Sequence, residues 1–231
     1  DTRTLTDGQS VSYTVRVSDA AGNEGTASGA YTATVDTTAP GTTATVTAII
    51  DNVGIVTGAV ASGARTDDTS LALSGTLGAS LAAGETLRVY DGANYLGDAV
   101  VSGTGWSYAD GRTLTDGQSV SYTVRVADAA GNLGAASSAY GVTVDTTAPS
   151  TVASTGAVID NTGLFTGTVV SGSTTDDTSL ALSGTLGSSL AAGETLRVYD
   201  GTNYLGDAVV SGTGWSYADG RTLTDGQSVS Y

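Results

Sequence analysis

The sequence predicts an all-β chain built of tandem β-sandwiches, and three observations predict it. The chain repeats itself at a spacing of domain size. Its β-branched runs alternate apolar with polar residues. Turn signals rich in Gly, Asn and Asp arrive about every 8–15 residues, the punctuation of short strands.

The repeat comes first, because it sets the unit within which everything else is read. Val35-Asp36-Thr37-Thr38-Ala39-Pro40 recurs 109 positions later as Val144-Asp145-Thr146-Thr147-Ala148-Pro149. Asp7, Asp116 and Asp225 keep that spacing, as do Asp67 and Asp176. Residues 1–122 therefore align on 110–231 without a gap, at about four identical positions in five. The differences cluster in 41–65, so the copying is recent and does not by itself single out residues for chemistry. A period of about 109 residues is too long for a solenoid unit and fits a self-contained domain strung as a bead. Pro40 and Pro149, the two prolines present, sit at equivalent points and mark the boundaries. The expected organisation is 1–39 as the C-terminal strands of a truncated repeat, 40–147 as a complete repeat, and 148–231 as the N-terminal three quarters of a further one. Beginning at Asp1 and lacking Met, the chain reads as an internal piece of something longer.

Within one repeat the period is that of strands. Leu71 and Leu73 alternate with Ser70, Ala72 and Ser74, and Leu87 and Val89 flank Arg88. Leu87–Tyr90, the turn Asp91-Gly92-Ala93-Asn94 and a return over Tyr95–Val101 read as a hairpin. Trp106, after the small-residue turn Ser102–Gly105, is expected to plug the core with Tyr108 beside it. Val120, Tyr122, Val124 and Val126 alternate with Ser119, Ser121, Thr123 and Arg125, the clearest half-buried strand in the chain. Ala135–Val144 gives a last strand running into the Asp-Thr-Thr-Ala-Pro hinge. Ser80–Glu85 is too short for a helix and is interrupted by Gly84. About seven strands in about 109 residues make a β-sandwich of immunoglobulin type, one that lacks the usual Cys pair and rests on Trp.

Composition removes whole classes of function. The 231 residues hold 8 Lys+Arg, all of them Arg, against 23 Asp+Glu, with no His and no Cys. Without His or Cys there is no Ser-His-Asp triad, no Cys-His nucleophile and no His/Cys zinc cage, and an enzyme is not expected. A formal charge of −15 gives no footprint for nucleic acid or an anionic membrane surface. No apolar run approaches the length of a membrane span, so no direct membrane insertion is expected. Zero Cys excludes disulfide stapling. With 39% hydrophobic residues the chain still has the means to bury a core.

An ordered set of short motifs runs through the repeat: Val-Asp-Thr-Thr-Ala-Pro, Ile50-Asp51-Asn52-x-Gly54, Thr66-Asp67-Asp68-Thr69, Leu73-Ser74-Gly75-Thr76, Gly105-Trp106, Leu114-Thr115-Asp116-Gly117 and Asp128-Ala129-Ala130-Gly131-Asn132. The series resembles the bacterial Ig-like repeats of giant surface adhesins, the biofilm-associated and type-I-secreted kinds, over the whole chain. The resemblance implies extracellular extender modules on the bacterial cell surface, often stiffened by calcium between domains. Ser70 departs from it, since many such repeats carry Pro there. The Gly-Gly-x-Gly-x-Asp nonapeptide run is absent from these residues.

Counting antiparallel strands places Asp51, Asp67, Asp68 and Asp145 at the C-terminal pole of repeat 40–147. The loop Asp128–Gly134 falls at the opposite pole, near Asp36 of the preceding hinge. Oxygen ligands of this kind suit Ca²⁺, which takes six to eight of them. The expected interdomain calcium sites are Asp51, Asp67, Asp68 and Asp145, with Asp160, Asp176 and Asp177 as repeat copies, and Asp36, Asp128 and Asn132 at the first junction. The same residue types are also ordinary turn formers, and Asp91, Asp98, Asp110 and Asp116 are read that way. Asp67-Asp68 is no glycosidase pair, because neighbouring strand-entry residues point apart. The expected function is a spacer in an adhesin, whose partners are the neighbouring repeats and whose distal target is unspecified. The alternative is a calcium-dependent module that binds a glycan or protein ligand.

Overall fold

The computed structural model describes residues 2–231, and every regular element among them is a strand. The chain divides into two compact units, the first ending at Thr147 and the second running Ala148–Tyr231.

The first unit opens with an antiparallel ribbon, β1 (Ser10–Tyr13) and β2 (Tyr31–Thr34), with Ser10 opposite Thr34. Ten strands follow: β3 (Ala44–Asp51), β4 (Gly58–Val60), β5 (Arg65–Thr66), β6 (Ala72–Leu77), β7 (Thr86–Asp91), β8 (Asn94–Asp98), β9 (Val100–Ser102), β10 (Gly105–Ala109), β11 (Ser119–Ala127) and β12 (Tyr140–Val144). They form two five-stranded sheets, β4-β3-β6-β10-β9 and β5-β12-β11-β7-β8. All neighbouring pairs in these sheets are antiparallel except β5 with β12, which is parallel. One core joins the sheets: Ile49, Leu73 and Trp106 come from the first, and Leu87, Val89, Tyr122, Val124 and Val126 from the second. The arrangement is consistent with a β-sandwich. The alternation read in 119–126 is the burial pattern of β11, whose Val120, Tyr122, Val124 and Val126 all face that core.

Ten strands stand where about seven were expected, for local reasons. After Asp51 the chain doubles back as β4 beside β3, then crosses to the other sheet as β5. The return expected over Tyr95–Val101 is two strands, because the chain changes sheet at Ala99, whose N–H bonds to the Leu87 carbonyl (2.8 Å). The last strand begins at Tyr140 and not at Ala135. Ahead of it the Ser137 hydroxyl accepts the Val124 N–H (3.0 Å), and the Ser137 N–H donates to the Val124 carbonyl (2.9 Å). A side chain thus takes the place of a ladder carbonyl.

Trp106 sits where it does because Gly75 lies directly opposite it on β6. A Cβ at position 75 would overlap the Thr45 carbonyl and stand 2.5 Å from the indole ring. The ring therefore lies on bare backbone, 4% exposed, and its Nε1–H donates to that same Thr45 carbonyl (3.1 Å).

A polar pin crosses the core edge, and two of its members, Asp91 and Asp110, are among the residues that sequence reading assigns to turns. Asp110 is 3% exposed. It accepts the Tyr122 hydroxyl (2.5 Å) and two Arg112 guanidinium nitrogens (2.6 and 2.9 Å). Arg112 also reaches Asp91 (2.9 Å), whose other oxygen accepts the Ser121 N–H (2.8 Å). Burial works to raise the Asp110 carboxyl, but the Arg112 and Tyr122 hydrogen bonds outweigh it and hold it below the ordinary range. Burial and the Asp110 charge push the Tyr122 phenol well up.

The second unit holds β13 (Ala153–Asp160), β14 (Gly167–Val169), β15 (Ala181–Leu186), β16 (Arg197–Asp200), β17 (Asn203–Asp207), β18 (Val209–Ser211) and β19 (Gly214–Ala218). Its sheet β14-β13-β15-β19-β18 copies the first sheet of the middle repeat, down to Trp215 over Gly184 and the register shift in the leading strand. Beside it stands a two-stranded sheet, β16-β17.

Candidate functional site

The acidic residues collect at the ends of the repeat, where chain enters and leaves. Thr66, the last residue of β5, is the centre of the exit pole. Its hydroxyl donates to Asp51 Oδ2 (2.6 Å) and accepts the Asp68 N–H (3.2 Å), while its carbonyl accepts the Asp145 N–H (2.8 Å). Asp51 also accepts the Val53 N–H (3.0 Å). Asp68, 1% exposed, accepts the Ser70 N–H (2.7 Å) on one oxygen and the Asn52 N–H (3.2 Å) on the other. The serine at 70 therefore has a use, since a proline there would supply no N–H. Asp67 lies against Gly54, whose φ of 72° and missing Cβ leave the space its carboxylate fills. Arg65 pairs with Asp145 (3.1 Å), a basic partner that sequence reading did not assign.

The second unit repeats this geometry. Thr175 donates to Asp160 (2.6 Å), Ser179 and Asn161 cap Asp177 (2.7 and 3.0 Å), and Asp176 lies against Gly163. The Thr175 hydroxyl, followed by the Thr162 N–H, holds the Asp160 carboxyl below its ordinary range. Arg65 is not copied, its counterpart being Thr174.

At the entry pole, Asp128 accepts the Asn132 N–H (2.8 Å) and side-chain amide (2.9 Å). Burial works to raise Asp128, but the Asn132 bonds prevail and hold it low. The same Asn132 amide donates to the Asp36 backbone carbonyl (3.1 Å), so the 128–132 loop grips the incoming hinge. The Asp36 carboxylate turns to its own chain and accepts the Thr38 N–H (3.1 Å).

The exit hinge has a clamp that sequence reading missed. Asp116 accepts the Thr146 N–H (2.6 Å), the Thr146 hydroxyl (3.2 Å) and the Thr147 hydroxyl (2.9 Å). Asp7 makes the same contacts with Thr37 and Thr38. The backbone N–H of Thr146, then the Thr147 hydroxyl, holds Asp116 below the ordinary carboxylate range. The Thr-Thr of the hinge motif is thus the partner of the Asp in Leu-Thr-Asp-Gly, thirty residues upstream.

The donors at the exit pole match Ca²⁺ in kind, being hard oxygens, and the Asp51 and Asp68 side chains are turned inward with Arg65 directed to Asp145 instead. Each of their carboxylate oxygens receives one of these protein hydrogens, against an acceptor capacity of about four per carboxylate. As the side chains stand, no three acidic groups among the described residues converge closely enough to hold a metal ion. Among the described residues no helix is long and apolar enough to cross a membrane. No protein-family model matches the chain, and no curated protein is significantly similar to it.

Proposed function

We propose that the chain is a tandem array of immunoglobulin-like β-sandwiches that serves as a spacer in a bacterial cell-surface adhesin, holding a distal binding tip away from the cell. The observation that carries the proposal is repetition at every level. Strand register, the Trp-on-Gly core and the polar caps of the pole recur 109 residues apart. Length is served by copying, whereas binding specificity needs one good site. The sheet orders support the immunoglobulin assignment: β3, β6, β10 and β9 follow the A-B-E-D order, and β12, β11 and β7 the G-F-C order.

The mechanism is mechanical. Chain enters at β3 and leaves at β12, and tension along the array pulls β12 past β5 lengthwise. Their cross-strand bonds then share the load together and do not open one by one. The Asp116 clamp shortens the free part of the exit hinge, and the Asn132 grip that of the entry hinge. Asp51, Asp67, Asp68 and Asp145 at one pole, and Asp36, Asp128 and Asn132 at the other, are the residues that would hold Ca²⁺, with Asp160, Asp176 and Asp177 as copies. A bound ion would cancel the charge that these poles concentrate. In this reading the protein is extracellular, is not an enzyme, and has its own neighbouring repeats as direct partners.

Small-angle scattering of the 231-residue chain in 2 mM Ca²⁺ and in chelator tests the calcium part. The expected result is a larger maximum dimension with Ca²⁺, and no difference once Asp67→Ala and Asp145→Ala are introduced. Equal dimensions for the parent in both conditions would overturn it.

A second reading, glycan binding, has one observation in its favour. Tyr95 is 51% exposed, with the Tyr90 ring 5.6 Å away and the Arg88 guanidinium 5.4 Å from its centroid, and Tyr204 with Tyr199 and Arg197 repeats the cluster. Exposed aromatic faces of this kind stack on sugar rings. A glycan-array signal abolished by Tyr95→Ala with Tyr204→Ala would favour it over the spacer.

A further inference from the structure

We infer that the outer face of β7, β8 and β11 is a binding site for a uronic acid, with the sugar ring on Tyr95 and its carboxylate on Arg88 and Arg125. The inference rests on the glycan reading of this face and narrows it to acidic sugars. Strand alternation sets the face. Leu87 and Val89 of β7, with Val124 and Val126 of β11, point into the core, so Arg88, Tyr90, Thr123 and Arg125 point out. Pairing lines the outward residues up in two rows across three strands. In one row Asp98 stands opposite Arg88, and Arg88 opposite Arg125. In the next, Tyr95 stands opposite Tyr90, and Tyr90 opposite Thr123. A charged row thus runs beside an aromatic one.

The charged row is not balanced within itself. Like charges directly opposite on neighbouring strands repel, and Asp98 is one carboxylate for two guanidinium groups. Its Oδ1 already accepts the Tyr95 hydroxyl (2.7 Å) and lies 3.9 Å from Arg88 Nε, beyond hydrogen-bond distance. Arg88 Nε is shut away from solvent and has no hydrogen-bond partner among the described residues. The side chain as a whole is 35% exposed, so solvent reaches the rest of the guanidinium. Arg125 gives its Nε–H to the Gly134 carbonyl (2.9 Å), and no acceptor among the described residues takes its terminal amino groups. Two positively charged forks therefore lie on one face with donors to spare, and a carboxylate matches that geometry with two parallel bonds.

The aromatic row supplies the platform. Tyr90 is tilted against Tyr95 at 5.6 Å and steadies a ring that stays half exposed. A pyranose lies on such a ring through its C–H face. In a uronic acid the carboxylate is carried equatorially at the rim of the sugar, so a ring flat on Tyr95 directs it sideways into the charged row. A neutral hexose brings a hydroxymethyl group to the same place, which makes a weaker bond and leaves the row unbalanced. The net charge of −15 does not forbid an anion here, because at about 0.15 M salt charges beyond about 8 Å are largely screened. The second unit sets Arg197 opposite Asp207 and Tyr199 opposite Tyr204, so the platform and its first guanidinium recur.

The test is calorimetric titration of the full 231-residue chain with trigalacturonate, with a glucuronate trimer, and with the methyl ester of each. The ester keeps the ring and removes the charge. At least one acid should bind about tenfold more tightly than its ester. Arg88→Gln with Arg197→Gln should bring that acid down to the affinity of the ester, and Tyr95→Ala with Tyr204→Ala should abolish binding of both. Arg16→Gln with Arg65→Gln removes as much charge from arginines that already pair with Glu24 and Asp145, and should leave the affinity within twofold of the parent. Acid and ester binding equally well would overturn the inference and leave the glycan reading standing. An acid preference that survives Arg88→Gln with Arg197→Gln would overturn it too. If neither acid binds, the inference falls, and the glycan array decides the broader reading by itself.

Discussion

Gly75→Ala is the sharpest perturbation of the core, because a single methyl group meets two fixed obstacles. The new Cβ would overlap the Thr45 carbonyl of β3 and press on the Trp106 ring at 2.5 Å. The carbonyl is backbone in a paired strand, and the ring is wedged between the sheets, so neither yields cheaply. Overpacking of this sort costs about 1–3 kcal/mol. Losing the Trp106 Nε1–Thr45 bond as the ring is pushed aside adds about 1 kcal/mol. The total is about 2–4 kcal/mol, which at a urea m-value of about 2 kcal/mol/M lowers the midpoint by about 1–2 M. The assay is urea unfolding followed by Trp106 fluorescence in a Trp215→Phe background, so that only the middle repeat reports. Gly111→Ala, where a Cβ meets open space, is the control and should fall within about 0.5 kcal/mol of the parent. A midpoint for Gly75→Ala equal to that of Gly111→Ala would refute the account of why the tryptophan is where it is.

Two further expectations concern the polar pin and the hinge. Tyr122→Phe removes the hydroxyl bonded to the buried Asp110 carboxylate and should cost about 1.5–3 kcal/mol at neutral pH. The pin's pH dependence has two limbs. Asp110 is held low, so its contribution is complete above the ordinary Asp range, about 3.9, and is lost as pH falls through the folded value. Tyr122 is pushed up, so its contribution is complete below about 10 and is lost as pH rises through the folded value. Denaturation midpoints of the parent should be flat between these limits, and the alkaline fall should shrink in Tyr122→Phe; an unchanged alkaline limb contradicts the assignment. Asp116→Ala should speed hydrogen exchange at the Thr146 amide by about an order of magnitude, while Gly117, bonded to the Val144 carbonyl, keeps its rate. Equal Thr146 exchange in both proteins would show that the clamp does not hold the hinge.

What the sequence made legible follows from periodicity. β11 alternates over eight of its nine residues and was readable residue by residue, and Trp106 was readable as core because little else in the repeat is bulky. The short strands were not readable: β4, β5 and β9 have two or three residues each, too few to show any period. The sheet change at Ala99 was hidden for the same reason. Strand counting put Asp51, Asp68 and Asp145 at one pole, where Thr66 bonds to each of them. Asp110 and Asp116 are another matter. Residue type alone makes them indistinguishable from Asp98, which is a surface residue bonded to the Tyr95 hydroxyl. What sets Asp110 apart is Arg112 folding back over it, and what sets Asp116 apart is a hinge thirty residues away. The near-identity of the copies hid both, because duplication preserves every pair alike. The one visible signal was that Asp116 and the Thr-Thr of the hinge keep their spacing in the preceding copy as Asp7 and Thr37-Thr38.

The claim that matters most is that the repeat bears tension, and pulling single molecules of the 231-residue chain from its two ends tests it most directly. The expected result is one dominant cooperative rupture from the middle repeat, Ala44–Val144, releasing about 30 nm of chain, at a force lowered when the β5–β12 pairing is weakened by Thr66→Pro. A smooth extension without a discrete rupture, or a rupture force indifferent to Thr66→Pro, would contradict it.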